Sequence, residues 1–80
     1  MLNNLAWAYS EKGDYDRALP LARRAFELDK RNPATADTLG WLLFKSGRSR
    51  AEGLTLLEQA ARGAPTDAQV REHLSTARRS

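Results

Sequence analysis

Cysteine is absent from this sequence of 80 residues, and histidine occurs once, as His73. The lack of cysteine excludes disulfides, thiolate catalysis and cysteine-ligated zinc. A single histidine has no second imidazole with which to hold a metal ion, and no serine motif completes a catalytic triad with it. We therefore interpret His73 as a solvated side chain on a polar helix, and we predict a protein that is not an enzyme and uses no cofactor.

Long hydrophobic runs are also missing. No segment approaches the roughly 20 apolar residues that a membrane-crossing helix needs. The first residues, MLNNLAWAY, lack the basic region and the long apolar run of a signal peptide. We expect a soluble protein without membrane insertion, whose compartment stays open, with the cytoplasm favoured.

The sequence has only a small excess of positive charge, and no segment alternates between polar and apolar residues as a β-strand would. The chain has 13 basic and 10 acidic residues, which give a net charge of +3. Such a mild excess indicates a solvated surface rather than a nucleic-acid footprint. Alanine, leucine and arginine are abundant and β-branched residues are few, a composition that favours helices. We expect one small all-α domain over residues 1–80.

What the sequence does contain is an internal repeat. LAW at 5–7 matches LGW at 39–41, and Gly13 matches Gly47, both at a spacing of 34 residues. Beyond Gly47 the spacing becomes 35, so one residue is inserted in that turn, either Arg48 or its neighbour Ser49. A fixed period of this length is typical of stacked helical repeats.

Capping residues divide the chain into short helices. Each repeat glycine ends a periodic apolar segment, as helix C-caps do. Asp14, Asn32-Pro33 and a capping box at Ser49–Glu52 mark helix starts, and a second box begins at Thr66. The sequence predicts five antiparallel helices over residues 1–12, 15–30, 33–46, 50–62 and 67–78.

Large and small residues recur at matched positions of these helices. They are Leu2, Leu5, Ala6 and Tyr9; Ala36, Leu39, Gly40 and Leu43; Ala18 and Ala25; Gly53 and Ala60; the turn residues Gly13 and Gly47; and Pro65. This ordered set resembles the tetratricopeptide repeat. The resemblance implies a right-handed α-α superhelix, with repeat 1 over about 1–32, repeat 2 over about 33–66 and a C-terminal solvating helix over about 67–78.

The stripes of these helices carry further expectations. Leu39 should be deeply buried against its partner helix and the first repeat. Gly53 should be tolerated within a helix if close helix contact requires it. The stripe of the fifth helix holds two arginines and a serine, which suits a solvated end. Met1, Leu2 and Leu5 lack a covering helix, so we interpret the array as truncated at its start and consider dimerisation through this open end.

A second stripe runs along the first, third and fifth helices. In the tetratricopeptide-repeat family, which the sequence resembles, this stripe lines a concave groove that binds peptide segments. The corresponding residues are Asn3, Trp7, Ser10 and Glu11; Asp37, Trp41, Phe44 and Lys45; and Gln69, His73 and Thr76. Glu11, Asp37, Lys45 and His73 would form a polar rim. The two tryptophans either anchor a ligand or pack between neighbouring first helices, and both readings stay open.

Some family members grip a chain-terminal carboxylate with lysine, arginine and asparagine. The corresponding places here hold Asn3, Trp7, Thr38, Gln69 and His73. The basic residues are missing, so no ligand of this kind is expected.

Three functions compete at this stage. The first is a protein-interaction module with a peptide or helix in its groove. The second is self-association through the open first helix. The third is single-stranded RNA binding, as in the related pentatricopeptide repeats, but two repeats are few and Glu11, Asp37 and Glu72 place negative charge in the groove. We favour the first.

Overall fold

Five helices make up the fold. The structure, a computed structural model, describes residues 2–79. The helices are α1 (Leu2–Glu11), α2 (Tyr15–Leu28), α3 (Pro33–Ser46), α4 (Arg50–Gly63) and α5 (Ala68–Arg79). No strand occurs among these residues, so the predicted all-α fold is confirmed. Every described helix end lies within two residues of its predicted position, whereas the predicted start at Met1 lies outside the described residues.

Helix length and apolarity also bear on membrane insertion. The longest helices have 14 residues. Within residues 2–79, none of the helices is long and apolar enough to cross a membrane.

The turns inside the two repeats show which residue was inserted. Gly13 and Gly47 have φ angles of 79° and 72°, the left-handed region that favours glycine after a helix. Asp14 follows the first glycine directly and accepts a hydrogen bond from the backbone N–H three residues on. In the second repeat the same role belongs to Ser49, with Arg48 between the glycine and the cap. The inserted residue is therefore Arg48.

Of the two predicted capping boxes, the cap at Ser49 is confirmed, because its hydroxyl accepts the N–H of Glu52, whereas the cap at Thr66 is not. The cap of α5 is Asp67, whose Oδ1 accepts the N–H of Val70 at 3.1 Å, so the predicted cap at Thr66 is wrong. Adjacent threonine and aspartate both suit the position, and the carboxylate also interacts favourably with the positive end of the helix. In the other box the Glu52 carboxylate binds Arg23 at 3.1 Å, which raises the pKa of that guanidinium.

The helices pack as two repeats and one further helix. Helices α1, α3 and α5 lie side by side with α3 in the middle, and α2 and α4 pack on them from the other side. Pro33 at the start of α3 lies against Gly63 at the end of α4. Helices α3 and α4 are therefore antiparallel, as the short turn between them requires.

Two glycines set the distance between α3 and α4. A Cβ atom added to Gly40 would lie 2.8 Å from the carbonyl oxygen of Gly53, and one added to Gly53 would lie 2.7 Å from the carbonyl oxygen of Gly40. The two backbones therefore touch, with no room for side chains between them. The expectation that close contact requires Gly53 is confirmed.

Helix α3 is apolar around most of its circumference because neighbours cover it on several sides. Leu39 and Leu42 are 0% and 1% exposed in a cluster that includes alanines of α1 and α2. On another side, Trp41 and Phe44 pack against a cluster that contains Leu74 of α5. The central position of α3 thus accounts for the bulky segment at 39–44, and the predicted burial of Leu39 is confirmed.

Candidate functional site

A cleft opens where the N-terminal halves of α1, α3 and α5 meet. It has a volume of about 220 Å³. Its lining residues are Asn3, Asn4, Trp7, Ala34, Asp37, Thr38, Asp67, Gln69 and Val70. The structure thus brings four of the predicted site residues together in one cavity, namely Asn3, Trp7, Asp37 and Gln69.

The cleft combines an indole with hydrogen-bonding groups. Trp7 is half-buried and forms part of the wall. The Oδ1 atom of Asn3 is buried and has no hydrogen-bond partner within residues 2–79. A buried acceptor without a partner is unusual in folded proteins, because its desolvation is not compensated. Thr38 and Gln69 add further donors and acceptors.

Asp37 and His73 form a buried pair at the base of this region. The Nδ1 atom of His73 lies 2.9 Å from Oδ1 of Asp37, and the two residues are 7% and 5% exposed. The prediction that His73 is solvated and that both side chains belong to a solvated rim is therefore wrong. The polar pattern of α5 suggested an exposed histidine, whereas packing on α3 places the imidazole beside a carboxylate that satisfies it.

Trp41 is held by the fold itself. Its ring stacks on the His73 imidazole with centroids 4.0 Å apart and an angle of 9° between the planes. The ammonium group of Lys45 lies 5.5 Å from the indole centroid, and the Phe44 ring lies at 5.5 Å. These contacts support the reading in which Trp41 packs between first helices. Trp7 lies farther from His73, at 6.0 Å between ring centroids.

The remaining predicted residues lie toward the C-terminal halves of the helices. The Ser10 hydroxyl donates to the carbonyl oxygen of Trp7 at 2.7 Å, so it is engaged within its own helix. Glu11 and Lys45 are exposed, and Thr76, like Phe44, is half-buried. The predicted site therefore divides into the residues that line the cleft and those that do not, among which Trp41 is contacted by His73, Phe44 and Lys45.

Five lining residues were not among the predicted site residues: Asn4, Ala34, Thr38, Asp67 and Val70. One of them had a signal in the sequence, because Asn4 lies 34 residues before Thr38 and both face the cleft. Asp67 had the signal of a helix cap, which says nothing about a neighbouring cavity. Within residues 2–79 no three histidine, aspartate or glutamate side chains lie close enough together to hold a metal ion.

Comparison with known proteins identifies the repeat. Residues 1–31 match the family model of the tetratricopeptide repeat. The family model therefore identifies one tetratricopeptide repeat, at residues 1–31. Its fold is similar to that of the C-terminal TPR-containing domain of a putative FK506-binding protein from Plasmodium falciparum, with a TM-score of 0.88 and 26% sequence identity. That alignment covers 98% of this chain and 51% of the other, so the chain spans about half the length of that structure.

No curated protein matches the chain. The repeat and the structural likeness nevertheless agree with the five helices described above, so the fold is an all-α solenoid of the tetratricopeptide-repeat type. Tetratricopeptide repeats are typically non-enzymatic modules for protein–protein interaction.

Proposed function

We propose that this chain binds a peptide or helical segment of a partner protein in the cleft between α1, α3 and α5. The observation that carries the proposal is the unsatisfied Oδ1 atom of Asn3 in a cavity walled by Trp7. An aromatic anchor beside an unpaired acceptor matches a ligand that offers an apolar side chain and a peptide N–H.

The charges of the cleft restrict the ligand. Among the described residues that line it, Asp37 and Asp67 are acidic and none is basic. A chain-terminal carboxylate or a nucleic-acid phosphate would find no cation there. This supports a neutral or basic protein segment as the ligand, rather than a carboxylate-clamp ligand or RNA.

Trp7 replaces Trp41 as the proposed anchor. The sequence interpretation treated the two tryptophans alike because they occupy equivalent places in the repeat. In the structure one face of the Trp41 ring is taken by His73, and Lys45 lies near the ring as well. Trp7 lines the open cavity, so it has the surface that a ligand side chain can contact.

Replacing Trp7 with alanine should therefore weaken ligand binding by about 2 kcal/mol or more, as truncation of an interface hot spot does. Peptides selected from a displayed library on the unmodified chain serve as ligands, and fluorescence anisotropy gives their dissociation constants. Leu28→Ala, at a side chain 70% exposed on α2, is the matched control and should leave affinity unchanged. Circular dichroism establishes that each variant is folded. Selected peptides that bind Trp7→Ala as tightly as the control would contradict the proposal.

Self-association is the second candidate, and one surface favours it. Leu2, Leu5 and Ala8 form an apolar face on α1, and Leu5 is 46% exposed. The equivalent residues of the second repeat include Leu39 and Leu42, which are buried by the first repeat. The apolar face on α1 is thus exposed where the equivalent surface of the second repeat is buried. A second copy of the chain would cover it.

Such a dimer should be weak, because stable interfaces bury roughly 800 Å² on each partner and this face is small. We expect light scattering to show a mass that rises with protein concentration. Leu5→Glu should abolish the rise, because a carboxylate directly at the contact is costly to desolvate. A mass that stays that of a monomer up to millimolar concentration would rule this candidate out without affecting the cleft.

A further inference from the structure

A notch lies between α4 and α5, at the opposite end of the helix stack from α1. It is lined by Glu58, Ala61, Arg62, Leu74 and Arg78, and its volume is about 400 Å³. Ala61 and Leu74 provide an apolar floor, and charged side chains form the walls. The notch shares no lining residue with the cleft.

The internal repeat shows what shape fits the notch. In the second repeat, the stripe of α3 that contains Leu39 and Gly40 receives a helix, α4. The corresponding stripe of α5 contains Arg71, Leu74 and Arg78. Because α5 is equivalent to α3, the side of α5 that faces the notch corresponds to the side of α3 on which the antiparallel helix α4 packs.

The charges around the notch restrict which helix can bind in it. Among the residues that line the notch, Arg62 and Arg78 outnumber Glu58, whose carboxylate is 3.5 Å from Arg78. Arg71 lies three residues before Leu74 on the same stripe of α5 and is exposed. A helix with an uncharged stripe would leave arginines facing apolar groups, which is unfavourable. A helix that carries carboxylates opposite Arg71 and Arg78 would replace this cost with charge-assisted hydrogen bonds.

The spacing defines the partner further. Arg71 and Arg78 are seven residues apart, so along α5 they are separated by about 10 Å at 1.5 Å per residue. An antiparallel helix matches them with two carboxylates that are also seven residues apart. Between those carboxylates, on the same stripe, it needs an apolar residue to contact Leu74.

We propose that the notch between α4 and α5 binds an acidic amphipathic helix of a partner protein, with two carboxylates seven residues apart around an apolar residue. A second copy of this chain does not meet that requirement, because no two acidic residues of the sequence are seven apart. The contact is small relative to a standard interface, so it is of low affinity and depends on salt. Because the notch and the cleft are separate, both surfaces bind their ligands at once.

The test uses a labelled helical peptide with two glutamates seven residues apart and a leucine between them on the same stripe. The control peptide has the same composition, with the glutamates moved to the opposite face. Fluorescence anisotropy should show binding of the first peptide, at least about tenfold tighter than the second and weaker at high salt.

The chain itself supplies matched variants. Arg71→Glu should weaken binding at least about tenfold, because it places like charges opposite each other. Arg24→Glu makes the same charge change at an exposed site on α2 and should match the unmodified chain. Replacing only the C-terminal glutamate of the peptide, which faces position 71 in an antiparallel pair, with lysine should restore binding to Arg71→Glu. Since both arginines are exposed, these variants should keep the helical circular dichroism of the parent.

Three results would overturn the proposal. The first is equal affinity of the chain for the two peptides, or no binding of either. The second is loss of peptide binding in Trp7→Ala, which would place the peptide in the cleft. The third is self-association of the chain that Arg71→Glu abolishes, which would make a second copy the occupant of the notch.

Discussion

Replacing Leu39 with alanine is expected to lower the free energy of unfolding by about 2–5 kcal/mol, the usual range for removal of a buried leucine side chain. Leu39 is 0% exposed and belongs to the cluster that joins α3 to the first repeat. That cluster contains Ala6, Ala18 and Ala22, whose short side chains cannot expand into the space left behind. The cavity should therefore persist and add to the lost transfer free energy.

The loss should be visible at room temperature. A natural domain has roughly 5–15 kcal/mol of stability, and a chain of this size is expected near the lower limit. Urea unfolding followed by circular dichroism measures the change. Leu28→Ala removes the same atoms from a side chain that is 70% exposed and should have little effect. If Leu39→Ala unfolded at the urea concentration of the control, the assigned repeat register would be in conflict with experiment.

The accuracy of the predicted helix ends follows the strength of the local signals. Helix α3 was predicted without error because Asn32-Pro33 marks its start and Gly47 its end. The start of α5 was displaced by one residue because Thr66 and Asp67 are both good caps and are adjacent. Local chemistry decides such ends where one residue is clearly preferred, and tertiary packing decides them elsewhere.

The site was less predictable because its decisive contacts join distant parts of the chain. His73 and Asp37 are 36 residues apart, and neither helix alone indicates that they form a pair. A lone histidine on a polar helix is indistinguishable from a solvated one until the neighbouring helix is in place. The sequence placed Trp7 and Trp41 at equivalent positions, but the repeat could not show that α5 would cover Trp41 more closely.

Replacing Gly53 with valine should be as damaging as the loss of Leu39, by the opposite mechanism. The first atom of any side chain at Gly53 would lie 2.7 Å from the carbonyl oxygen of Gly40 and 3.0 Å from the backbone nitrogen of Phe44. Both are backbone atoms, so no rotamer change relieves the clash, and α3 and α4 must move apart. Insertion of side-chain atoms into a packed core usually costs about 1–3 kcal/mol, and we expect about 3 kcal/mol or more here because backbone must shift.

Helix propensity alone predicts that Gly53→Val raises the free energy of unfolding, whereas the clash predicts that it lowers it. The experiment therefore distinguishes the two effects. Glycine is the less favourable residue in a helix interior, so valine would be mildly stabilising by a few tenths of a kcal/mol if space allowed. Ala51→Val adds a β-branched side chain on the exposed side of the same helix and should change the urea midpoint only slightly. Separation of α3 from α4 would also open the cluster around Leu57, so tryptophan emission should shift to the red before the chain unfolds. A Gly53→Val chain as stable as the Ala51→Val control would mean that the two backbones are not in contact in solution.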